Sequence, residues 1–167
     1  MSGWRLLRPL LAVCWLAASL AAQARTVEGV VSHVTDGDSL WVRPAAGAPA
    51  IEVRLQGIDA PEICQPFGPQ AREALASRVL HRRVVVRTRA RDGYQRTLGQ
   101  VSLNGQDIGE WMVGNGYAWS YQYKRRRGAY SEQQSQARAA RLGLWAGAAM
   151  EPRQFRKSHG SCKKPKP

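Results

Sequence analysis

The chain has 167 residues, with 25 lysines and arginines against 12 acids and a formal charge of +13. That length suits one domain with its own core rather than several, and so large a basic excess favours an anionic polymer as partner. The apolar run Leu10–Leu20 is about half of the roughly 20 residues a membrane-spanning helix needs, which argues for export over anchoring.

Residues 1–24 have the three parts of a secretory signal: a basic start with Arg5 and Arg8, the short apolar run, and Ala22-Gln23-Ala24 as a cleavage site. Val13 precedes Cys14 where a lipoprotein signal wants a small residue. Cleavage after Ala24 leaves 143 residues, with 23 basic and 12 acidic side chains, about +11. The expected location is the periplasm or the cell exterior. The expected organisation is a signal over 1–24, one domain over 25–148 and a basic tail over 149–167.

Along the mature chain, Val27–Val34 and Leu40–Arg43 are short β-branched or apolar runs around an Asp-Gly turn, the punctuation of a hairpin. Ile51–Leu55 alternates Ile51, Val53 and Leu55 with Glu52 and Arg54, as a half-buried strand does. Gly68–Leu80 predicts a helix with Ala71, Leu75 and Val79 on one stripe. Arg83–Thr88 and Leu98–Leu103 are two more strands flanking Asp92-Gly93, which makes five in all. Gln106–Asn115 predicts a second helix, and Ser131–Arg141 a third, capped by Ser131 and stopped at Gly143. Beyond Trp145 the chain turns polar and basic and is expected to be a solvated tail.

The chemistry concentrates in Asp36-Gly37-Asp38-Ser39, in Val53–Glu62 and at Arg96. These stretches supply acidic oxygens for a hard cation and two guanidinium groups for a phosphate. Metal-assisted phosphodiester cleavage requires that combination, because charge gathers on phosphoryl oxygens in the transition state. The acidic turn does not fit a calcium helix-loop-helix site, which wants Gly sixth and Glu twelfth, where Trp41 and Gly47 stand. His33, His81 and His159 lack the spacing of zinc ligands. Two cysteines survive signal removal, Cys64 and Cys162. In an oxidising compartment they are expected to bridge, with two unpaired thiols as the alternative.

The order of motifs resembles the staphylococcal nuclease (thermonuclease) family from about Val27 to Trp145. The matching segments are Asp36–Ser39, Arg54–Glu62, Gly68–Ala71, Asp92–Arg96 with Tyr94 inside it, Gly114–Trp119 and Ala137–Trp145. The resemblance implies an α+β fold, a five-stranded OB-fold barrel plus three α-helices. It implies Ca²⁺ held by Asp38, Asp59 and the Ala60 carbonyl, phosphate bound by Arg54 and Arg96, and Glu62 as the base or positioner of the attacking water. Tyr94, and Tyr121 and Tyr123 beside Lys124–Arg127, correspond to substrate-pocket positions, where aromatic faces next to a basic run hold single-stranded bases.

The implied protein is a secreted or periplasmic monomer. It is a Ca²⁺-dependent phosphodiesterase that cleaves DNA and RNA with low sequence selectivity, favours single strands and leaves 3′-phosphates. The competing class is a non-catalytic OB-fold module that binds nucleic acid. Two departures from the staphylococcal enzyme stand out: the loop Ile63–Phe67 is shorter, and Gly93 replaces a lysine.

Overall fold

The computed structural model describes residues 25–45, 47–122, 124, 126–160 and 162. Residues 1–24, where the signal was expected, Tyr123, Arg125 and the last five residues lie outside it. Five strands form the body: β1 (Arg25–Asp36), β2 (Ser39–Pro44), β3 (Ile51–Leu55), β5 (Arg83–Arg91) and β6 (Thr97–Leu103). Three two-residue strands accompany them: β4 (Ile58–Asp59), β7 (Gln106–Asp107) and β8 (Trp119–Ser120). β1 pairs antiparallel with β2 and β5, β2 with β3 and β5 with β6, while β3 closes the barrel by running parallel to β6. The closed five-stranded barrel is the expected fold.

Alternation fills its interior. Val31, Leu40, Val42, Val53, Val84, Val86 and Val101 point inward from successive strands and are buried. Burying each contributes about 1.5–3 kcal/mol. Helix α1 (Gly68–Val79) adds Ala71, Leu75 and Val79, the stripe read from the sequence. Helix α2 (Ile108–Gly114) adds Met112 and Val113. It starts later than expected because Gln106 and Asp107 first pair with Leu103 and Ser102 as β7. Asp107 then caps it, accepting from the N–H groups of Gly109 at 2.8 Å and Glu110 at 3.2 Å.

Helix α3 (Ser131–Ala139) differs from the reading at its start. Tyr130 is the cap residue without a side-chain cap bond, and Ser131 is already helical, its Oγ accepting from Arg127 Nε at 2.6 Å. A 3-10 turn follows at Gly143–Ala146. The expected solvated tail is corrected over part of its length by a fourth helix, α4 (Pro152–His159), which buries Pro152 and Phe155. A disulfide joins Cys64 to Cys162 with a Cα–Cα distance of 5.8 Å. No helix among the described residues is long and apolar enough to cross a membrane.

Candidate active site

The acidic end of the barrel starts at the β1–β2 turn, where Asp36 pairs with Ser39 across Gly37 and Asp38. A Cβ on Gly37 would meet the Ala60 Cβ at 2.7 Å and the Ala71 Cβ at 2.8 Å, so the missing side chain lets the turn press against residue 60 and α1. Asp38 is therefore buried, at 2% exposure. Its Oδ2 accepts from the Ala60 N–H at 2.9 Å and its Oδ1 from Ser39 Oγ at 3.0 Å. Asp36, also buried, accepts the Asp38 N–H at 3.2 Å.

Strand register brings Arg54 beside the turn, since β3 pairs it with Ser39. The guanidinium spans two acids: Nη1 pairs with Asp38 Oδ1, and Nη2 with Asp59 Oδ1 at 3.0 Å. Asp59 is placed by β4, whose partner β8 sets Trp119 opposite it. Burial pushes the Asp38 carboxyl up to about 7; Arg54 pulls it down, while Asp36 and Asp59 add to the rise. Burial disfavours the Arg54 cation, yet Asp38, Asp59 and Asp36 outweigh it and hold Arg54 above the ordinary arginine range.

Glu62 sits on the loop between β4 and α1. Its N–H donates to Gln65 Oε1 at 3.2 Å, and a Cβ on Gly68 would collide with the Glu62 carbonyl, so the loop closes only around a glycine. Arg156 of α4 reaches the same place. Its Nη1 donates to Glu62 Oε1 at 2.9 Å and Asp59 Oδ1 at 3.2 Å, and its Nη2 to Asp59 Oδ2 at 3.0 Å. Partial burial of this guanidinium is outweighed by those two acids, which raise its pKa. Asp38, Arg54, Asp59 and Glu62 thus form one cluster.

Arg96 joins it by one further link. Its Nη1 donates to Ser39 Oγ at 3.4 Å, and that hydroxyl donates to Asp38. Asp92 holds Arg96 through Oδ2, at 2.8 Å from Nε and 2.7 Å from Nη2. Partial burial would raise the Asp92 carboxyl, but Arg96 and the N–H groups of Arg96 and Tyr94 hold it below its ordinary value. The Tyr94 ring is exposed and lies 5.3 Å from the Arg96 guanidinium carbon. Tyr121 is exposed too, with its N–H on the Gly57 carbonyl at 2.9 Å, next to β4. Tyr123 falls outside the described residues. A separate cavity of about 450 Å³, lined by residues that include Val30, Arg43, His81 and Arg83, shares no residue with the cluster.

The sequence reading quoted Asp36 and Asp92 within motifs but gave them no role of their own, and it left Arg156 out of the site. Asp92 had a signal in its four-residue spacing to Arg96; Arg156 had one only in the cysteine that follows it.

The family model described as "Staphylococcal nuclease homologue" matches residues 52–147. The chain belongs to the staphylococcal nuclease family. Among its nuclease-family relatives, a micrococcal nuclease of Shigella flexneri is 37% identical over 164 residues, covering 91% of this chain and 92% of that protein. An "uncharacterized endonuclease" of Haemophilus influenzae is 38% identical over 128 residues, or 76% and 71% of the two chains. An "uncharacterized 38.1 kDa protein" of Capnoides sempervirens is 41% identical over 107 residues, 64% of this chain and only 32% of the relative.

The donor chemistry fits the hard cation that the family implies. Asp38 and Asp59 offer carboxylate oxygens on either side of Arg54; burial first, and the neighbouring Asp36 and Asp59 after it, push Asp38 up. No group of three or more His, Cys, Asp or Glu side chains placed to hold a metal occurs among the described residues. Two carboxylates then need backbone, water or substrate oxygens to complete a shell, which Ca²⁺ accepts.

Proposed function

We propose that this protein is an exported, Ca²⁺-dependent phosphodiesterase that hydrolyses DNA and RNA with little sequence selectivity and leaves 3′-phosphates. The observation that carries the reading is Arg54 bridging Asp38 and Asp59, which sets a guanidinium against a pair of buried acids. Asp38, Asp59 and the Ala60 carbonyl would hold Ca²⁺, which when bound neutralises charge on a phosphoryl oxygen. Arg54 and Arg96 bind phosphoryl oxygens, since each fork can donate two parallel hydrogen bonds while staying charged. Glu62 orients or deprotonates the attacking water. The exposed rings of Tyr94 and Tyr121, with Tyr123, take the flanking bases, which favours single strands.

The test is digestion of single-stranded DNA by the purified protein with Ca²⁺, with excess chelator, and by Arg54→Ala. Cleavage by wild type alone, and only with Ca²⁺, is expected. Tight binding without cleavage would replace this reading with a non-catalytic binding module, and cutting that persists in chelator would refute the metal dependence.

A further inference from the structure

Helix α4 lies beyond the 52–147 segment that the family model matches, yet it sends Arg156 into the acidic cluster. Both of its flanks are tied to one short loop. Before the helix, the Met150 carbonyl accepts from Gln65 Nε2 at 2.6 Å; after it, Cys162 is bonded to Cys64. That loop carries Glu62, whose N–H is held by the same Gln65 side chain. Phe155 anchors the helix between these ties, buried and stacked on His159 with ring centroids 4.4 Å apart. Arg156, the residue next to Phe155, is thereby aimed at the two acids on either side of Pro61 and Ala60.

Two neighbouring carboxylates repel, and a glutamate on a loop has many rotamers unless something holds it. One planar fork that reaches Asp59 through both nitrogens and Glu62 through one cancels the repulsion and removes the freedom. The ion pair engages Glu62 through Oε1, so Oε2 is not part of it. We infer that Arg156 is a positioning residue of this active site, holding Glu62 against Asp59, and that α4 and the Cys64–Cys162 bond form a strap that keeps it there. The inference rests on the phosphodiesterase reading above and extends the site to a helix beyond the matched segment.

The experiment compares wild type, Arg156→Lys, Arg156→Ala, the Cys64→Ser/Cys162→Ser pair and the combined triple variant, below the melting temperature of each. kcat and KM are measured on single-stranded DNA with Ca²⁺. The carboxyl ¹³C resonance of Glu62 is followed in parallel without substrate. Arg156→Ala is expected to lower kcat about 10- to 100-fold, the scale of a misplaced reacting group, with KM changed less than about threefold. Lysine, a point charge that cannot span both acids, restores only part of the rate. The cysteine pair loses kcat in the same direction and the triple variant is no worse than Arg156→Ala, because all three act through one contact. The Glu62 resonance moves in every variant.

A kcat for Arg156→Ala within about twofold of wild type, a faster variant, or a stationary Glu62 resonance overturns the inference. The faster variant would make Arg156 a plug on the acids. A wild type that cuts nothing sinks the phosphodiesterase reading instead. The Glu62 resonance then decides alone whether Arg156 holds it, a shift supporting the contact and none overturning it.

Discussion

Replacing Arg54 with alanine in the cation-free protein makes stability report on the charge state of Asp38. Burial holds Asp38 at about 7 even with Arg54 beside it, against an ordinary value of 3.8. The folded protein therefore keeps a proton that the unfolded chain releases, so the contribution of this group to stability falls as pH rises from about 4 toward the folded value. In wild type the fall ends near pH 7. Without Arg54, which draws the carboxyl down, the folded value climbs and the fall continues. At pH 6 Asp38 is mostly protonated in both proteins, and the gap is the loss of the arginine's packing and of its pair with Asp59. Above pH 7 the gap should widen by about 1.4 kcal/mol per pH unit, toward the roughly 3–5 kcal/mol typical of a buried charge left without its partner. Urea unfolding from pH 6 to 9, with chelator present and the disulfide intact, reads this directly. A gap that is the same at pH 6 and pH 9, or that narrows, would show that Asp38 is not the buried, proton-binding acid described above.

Glu62→Gln should lower single-turnover cleavage about 10²- to 10⁴-fold, the usual worth of a general acid or base, while filter binding of DNA persists; cutting within tenfold of wild type would remove Glu62 from the chemistry. Asp92→Ala frees the Arg96 fork and should lower kcat/KM about tenfold. Its pair is partly buried, with side-chain exposures of 14% and 16%, so stability should drop by about 1–3 kcal/mol, the scale of a partly buried charge left without its hydrogen-bond partner. Because Asp92 titrates below its ordinary value, the contact is present above that value and lost only as pH falls through the depressed one. Its melting contribution should thus be flat from pH 5 to 8, and a step in that window would contradict the pairing. Reduction of Cys64–Cys162, which are 98 residues apart, should cost about 2–4 kcal/mol of stability by releasing a long loop in the unfolded chain; an unchanged midpoint in reductant would show that the tie does not constrain it.

The barrel was legible because its signals are local. Two β-branched runs around Asp-Gly, an Ile-Val-Leu alternation and the Ala71–Leu75–Val79 stripe each specify an element without help from elsewhere. Helix α4 was not, for a physical reason. A helix of eight residues that buries only Pro152 and Phe155 has no stripe to read, and one so short is marginal alone in water. It is fixed by the Cys162 bond and the Gln65 contact, contributed by residues 98 and 85 positions upstream of their partners. The Ser131 cap misled because a serine before a polar run looks like a cap, while here Arg127 has claimed its oxygen.

What the sequence could not show at all is the cost at which these acids are kept. Asp36, Asp38 and Asp59 are 5%, 2% and 5% exposed in a chain with twice as many basic residues as acidic ones. Stability does not account for them, since buried ion pairs can often be replaced by packed apolar residues of similar volume without loss. Arg54 and Arg156 relieve the crowding, yet Asp38 still sits near 7, chiefly because it is buried. Three buried acids concentrated at one end of the barrel, beside the exposed rings of Tyr94 and Tyr121, are what the proposed cation site would require. The crowding also explains why the strap matters: without Arg156, Glu62 would lose the cation it pairs with while still facing Asp59, and the cheapest response of the loop would be to swing Glu62 into water.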